Sequence, residues 1–259
     1  MTLFRPHVLP PTPFLLDVAW QARLEDAATC AHRFARMQEN LSRCDALVQR
    51  WYEIGATAEA AGIPLPLAPS SLTRRFEAAR MSSQGTDQDQ GFDLAAWNGE
   101  QGPRHASLII QAGSDRTGED WLNDMTNNVG IVFEPAEVAN ANLLTVEALK
   151  PILMALIDAW EPATGNVRPL RLLDRWAGDP PAVEQFRFHG GWMTYVAAPW
   201  CHEIEPPPGA ILEATPDGGL LLIATEEPFN LQNPDHVEAA TAIHESLAPL
   251  WLDLTALDL

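Results

Sequence analysis

The stretch ILEATPDGGLLLIAT, residues 211–225, decides the fold. Two apolar arms flank Asp217-Gly218-Gly219, which supply the positive-φ residues a tight hairpin turn requires. A hairpin joins antiparallel strands, whereas parallel neighbours need a crossover of a dozen or more residues. Working outward, strand-like runs recur without a helix between them: FDLAAWN (92–98), ASLIIQA (106–112) and GIVFEP (130–135). NGEQGP supplies a turn between the first two, and WMTYVAA (192–198) is a further strand. At the other end, Phe14, Leu16, Val18 and Trp20 alternate with Leu15, Asp17, Ala19 and Gln21, the period-2 pattern of a first strand.

Helices separate these groups. Glu25 and Asp26 head one lined by Ala27, Cys30, Phe34, Met37 and Leu41. Ser42 is placed to cap a second, with Cys44, Leu47, Val48 and Trp51 at helical spacing before a stop at Gly55. Leu72, Phe76 and Ala79 follow on a short one. Thr145 caps another, striped by Leu149, Ile152, Leu153, Leu156 and Trp160, in which Pro151 should kink the helix or delay its start. Residues 162–182 read as a Pro/Gly-rich connector. Pro234 opens a last helix with Val237, Ala240, Ile243 (or His244), Leu247 and Leu250 on its stripe. This order predicts an α+β fold, a mainly antiparallel sheet with packed helices. No break divides the chain, so one domain is expected over residues 1–259, with its core from about 14 to 252. The polar MSSQGTDQDQG (81–91) is expected to be an exposed loop.

The net charge of −19 is unevenly spread. Residues 1–80 carry nine Lys and Arg against eight Asp and Glu; residues 81–259 carry seven against 27. Nucleic acid and anionic membrane repel such a chain, so neither is expected as a direct partner. Cys30, Cys44 and Cys201 lack paired spacing, which fits reduced thiols. Pro6, Pro10, Pro11 and Pro13 interrupt the first residues, so no signal peptide is read, no membrane span is found, and a cytoplasmic location is expected.

Chemistry is hard to find. There is no phosphate-cradling glycine motif and no serine elbow. His202 and Glu203 are adjacent and would face opposite ways in a strand. His236 and His244 lie eight apart on one helix, about 12 Å, too far to share an ion easily. Together with His189 they read as surface or capping histidines. No metal, cofactor or catalytic residue is assigned, and the chain is expected not to be an enzyme.

Several segments in order resemble the immunity protein 52 family of bacteria. They are LLDVAWQAR with the helix carrying CAHRF, RWYEIGATAEAA (50–61), AAWNG (95–99), Gly191-Trp192 with Tyr195, and EEPFNLQNPDH (226–236). Trp51, Trp97 and Trp192 within them read as core, and Phe229 and Asn230 as fixing the turn before the last helix. The resemblance implies an antitoxin-like protein that binds a cognate secreted toxin. The family's usual toxin is a restriction-endonuclease-fold nuclease, often delivered by type VI secretion. It carries over no catalytic residues. A nuclease site must hold polyphosphate and is therefore basic, and an acidic inhibitor can enter that field and block it. Asp87, Asp89, Glu203, Glu205, Glu226 and Glu227 are the candidate toxin-binding rim, being acids in loops or at element ends. Each could instead serve only solubility. Two other readings stay open: a hydrolase with scattered catalytic residues, and an adaptor or chaperone for a secreted effector.

Overall fold

A computed structural model describes residues 12–55, 57, 60–82, 89–116, 125–134, 143–176 and 188–250. β1 (Phe14–Trp20) alternates as its sequence demands: Phe14, Leu16, Val18 and Trp20 are buried, and the residues between them are half-exposed. α1 (Ala27–Leu41) starts where the Asp26 carboxylate accepts the Thr29 N–H at 2.7 Å. β2 (Tyr52–Glu53), α2 (Pro69–Ala78), β3 (Phe92–Trp97), β4 (Ala106–Ala112) and β5 (Asn127–Phe133) follow. α3 (Val146–Trp160) begins on the Thr145 cap, so Pro151 sits inside the helix and does not delay its start. β6 (Thr164–Pro169), β7 (Met193–Val196), α4 (Ala198–Cys201), the hairpin β8 (Ile211–Ala214) and β9 (Leu220–Ile223), and α5 (Pro234–Ser246) complete the chain. Gly218, at φ +85°, makes the predicted positive-φ turn of that hairpin.

Among the described residues the strands form one nine-stranded sheet in the order β2-β3-β4-β5-β1-β6-β7-β9-β8, every pairing antiparallel. The fold is α+β in one packed domain. α1 packs between α2 and α3, and α3 lies on β1 and β6. Gly165 lets α3 come that close: a Cβ there would meet Leu153 and Val18 at 3.1 Å. Trp20 stacks on Trp160 with ring centroids 5.5 Å apart. α5 packs against the chain entering β7, where a Cβ on Gly190 would stand 2.6 Å from the His244 backbone.

Two sequence expectations fail. The second helix is only a short 3-10 turn, Ala46–Val48, capped by Asp45. Ser42 instead ends α1, its hydroxyl donating to the Glu39 carbonyl, and the Trp51 carbonyl accepts from Leu65, which commits that residue to extended pairing. The connector at 162–182 contains β6, a strand between β1 and β7. Its alternate residues Thr164, Asn166 and Arg168 are buried although polar, so no apolar alternation marked it. Of the two readings offered for His236 and His244, surface or capping, capping holds: both are buried, and their Nδ1 atoms accept from Asn230 N (3.1 Å) and Gly190 N (3.2 Å). The expected loop at 81–91 falls largely on residues 83–88, outside the described residues, as does Trp251.

Candidate functional site

Charge is handled differently in two parts of the molecule. Beside α1 and α3, carboxylates and guanidiniums meet. Arg33 binds Glu25 at 2.8 Å and Glu161 at 3.0 Å, and donates to the Ala159 carbonyl at 2.9 Å. Arg23 contacts Glu25 at 3.2 Å and donates to the Trp160 and Glu161 carbonyls. Two cations thus close the C-terminus of α3, where the helix dipole is negative. Glu161 ends that helix at φ +49°, the left-handed conformation usual after a helix end and usually held by glycine. Arg36 grips Asp158 with both Nε and Nη2, which raises the Arg36 guanidinium and holds the Asp158 carboxyl below its usual range.

From residue 188 to 250 there are nine acids and not one Lys or Arg. Glu213 is met by Lys150 at 2.9 Å from α3, and Glu227 by His236 at 3.4 Å. Asp217 binds the Tyr195 hydroxyl, and at 2.5 Å the Thr215 hydroxyl. Burial pushes the Asp217 carboxyl up, but those hydroxyls and the Gly219 N–H outweigh it and hold it below the usual carboxylate range. Glu203, Glu205, Glu226, Asp235, Glu238 and Glu245 are exposed and have no ion-pair partner among the described residues.

The candidate acids are therefore not one set. Glu226 and Glu227 leave the end of β9 and lie beside the N-terminus of α5, with Asp235. Glu203 and Glu205 lie on the return from α4 to β8. Cys201 sits by the hairpin turn, 3.8 Å from the Gly218 carbonyl, while Ile211 pairs with Ile223 at the hairpin's open end, so this segment runs back along the outer edge. Asp89 is far from them in the strand order, beside β3. It pairs with Arg80 at 2.8 Å and receives the Gly91 N–H, so it fixes its own loop. Asp87 lies outside the described residues. The sequence reading passed over Asp235, Glu238 and Glu245, although their i, i+3, i+10 spacing on α5 signals one outward helical face.

No group of His, Cys, Asp and Glu among the described residues is arranged to hold a metal ion. No described helix is long and apolar enough to cross a membrane. Two of the landmark tryptophans act as ties. Trp97 Nε1 donates to the Glu53 and Ala61 carbonyls, joining AAWNG to the 50–61 stretch. Trp192 Nε1 donates to the Thr225 carbonyl, and its ring lies 6.3 Å from Phe229. Trp51 and Trp192 are buried and Trp97 half-buried.

A family model described as Immunity protein 52 matches residues 14–252, from the first residue of β1 to beyond α5. The chain belongs to the immunity protein 52 family. Membership makes it an immunity protein, whose partner is a cognate toxin. Among solved structures, this immunity protein is similar to the Pseudomonas aeruginosa T6SS protein PA0821, at 11% identity and a TM-score of 0.41, over 90% of this chain and 74% of that one. No curated protein matches it. In the immunity protein the ordered landmarks are the residues that fasten β2 to β3 and β7 to the approach of α5.

Proposed function

We propose that this immunity protein neutralises a basic nuclease toxin by covering its nucleic-acid site with the acidic surface of residues 203–245. The observation that carries the reading is the run of nine carboxylates from residue 188 to 250, a stretch with no Lys or Arg, of which six are exposed and have no ion-pair partner among the described residues. In the helix layer Glu25, Asp158 and Glu161 are matched with arginines; here six exposed acids are left available to an outside partner. A basic substrate channel supplies the missing counter-charge, and complementary fields accelerate encounter and fix orientation. Glu203, Glu205, Glu226 and Glu227 form the proposed rim, joined by Asp235, Glu238 and Glu245. The protein works without chemistry of its own, in the cytoplasm where a delivered toxin acts.

The test uses cells that express the toxin encoded beside this gene. Wild-type protein restores growth and suppresses DNA or RNA cleavage by the purified toxin. The protein alone cleaves neither nucleic acid, with or without divalent metal. Full rescue by a variant with Glu203, Glu205, Glu226 and Glu227 all changed to Lys would remove the acidic-surface mechanism. A toxin that cleaves no nucleic acid would remove the nuclease reading.

A further inference from the structure

The 50–61 stretch does more than pair with β3. Arg50, Trp51 and Tyr52 line a pocket of about 280 Å³ by β2, at the other end of the strand order from the acidic hairpin. Its floor is apolar, made by Phe34, Trp51, Pro64 and Leu65, and Leu67 stands at its lip, 59% exposed. Ile54 and Ile63, 60% and 55% exposed, continue the apolar surface alongside, tied by the Glu53 N–H to the Ile63 carbonyl.

Two of the lining residues carry polar atoms with no partner. Trp51 Nε1 is a donor and Gln38 Oε1 an acceptor; both residues are more than nine-tenths buried, and neither atom has a hydrogen bond. The Gln38 amide nitrogen is already spent on the Gln49 carbonyl at 2.5 Å. Buried polar atoms left unpaired are rare in folded proteins. At the rim Arg50 is exposed and has no ion-pair partner among the described residues.

We propose that this pocket receives an extended segment of a protein partner, one apolar side chain entering the floor with an acidic residue beside it. One peptide unit carries both a C=O and an N–H, the complement of Trp51 Nε1 and Gln38 Oε1. The flanking carboxylate meets Arg50. The volume falls just below the roughly 300–1,000 Å³ of small-molecule sites, which suits a side chain and its peptide group better than a cofactor. Both polar atoms are closed to solvent, so the guest has to displace lining side chains on entry. The site is independent of the acidic surface, and its charge preference is opposite.

The probes are N-acetyl-Asp-Phe methylamide and N-acetyl-Phe methylamide, titrated into ¹⁵N-labelled full-length protein. The indole N–H resonance of Trp51, assigned from its loss in Trp51→Phe, moves saturably in the millimolar range. Leu67→Asp weakens binding of both probes at least tenfold. Arg50→Glu weakens only the Asp-containing probe, to the level of the other. Both residues are exposed, so both variants keep the wild-type melting temperature. An indole resonance that does not move, or one that moves equally in Leu67→Asp, overturns the proposal.

Discussion

The helix layer around α1 and α3 and the outer wing of β7, β9, β8 and α5 show two uses of the same carboxylates. In the helix layer Glu25 is nearly buried, at 7% side-chain exposure, and sits between Arg23 and Arg33. Those arginines also close the end of α3, so charge there joins elements distant in sequence. In the outer wing the joining is done by aromatic and imidazole rings. His244 stacks on Trp176 at 4.1 Å, its Nδ1 accepts from Gly190, and Phe229 lies between Trp192 and His236. Asp217 and Glu213 are tied in, to Tyr195 and Lys150, but Glu203, Glu205, Glu226, Asp235, Glu238 and Glu245 stay outside this framework. Carboxylates that hold a fold together are committed, whereas those that hold nothing are free to serve recognition.

Breaking the helix-layer side of this contrast should have the largest effect. Arg33→Ala removes the Glu25 and Glu161 pairs and a cap on α3, leaving Glu25 buried with Arg23 alone. The expected loss is about 3 kcal/mol in urea unfolding. A loss below about 0.5 kcal/mol would mean that these pairs are as idle as ordinary surface ones.

The outer wing should respond to acid. Burial, then the charge of Arg168, lowers His244 to about 4; burial, Arg168 and His244 lower His189 to about 3. The unfolded chain takes up these protons below pH 6.5, but the folded chain resists until about pH 4. Stability contributed by the neutral rings is therefore complete above 6.5 and falls as pH drops toward 4. Roughly 2–3 kcal/mol should be lost by pH 4.5 for each ring, and His244→Gln should flatten the slope. An unchanged slope in that variant would place the acid response elsewhere.

Much of this was legible in the sequence because it is periodic. The 211–225 hairpin, the 92–98 and 106–112 strands and the Thr145-capped helix follow from alternation, a Gly turn and a cap. The failures have physical causes. Cys44, Leu47, Val48 and Trp51 have helical spacing, but Asp45 claims the Leu47 N–H and the backbone at Trp51 pairs with Leu65. In β6, Arg168 is buried by its 2.7 Å contact with Asp17, a partner 151 residues away that no local pattern reveals. The acid excess of the C-terminal part could be counted, but which acids are committed could not. Asp89 looked like the others until Arg80 was found against it.

The smallest expected effect is on stability in the outer wing. Changing Glu203, Glu205, Glu226 and Glu227 together to Gln should shift unfolding free energy by no more than about 0.5 kcal/mol per residue, with any net change stabilising, since like charges are removed. A large loss would show that these acids are structural and end the contrast.

The most direct measurement is the association rate with the cognate toxin, for wild type and the variant with those four glutamates changed to Lys, at low and at physiological salt. The account predicts association at least tenfold slower for the variant at low salt, with the gap narrowing as the Debye length shrinks to about 8 Å. Equal association rates at both salt concentrations, with protection of toxin-expressing cells intact, would contradict it.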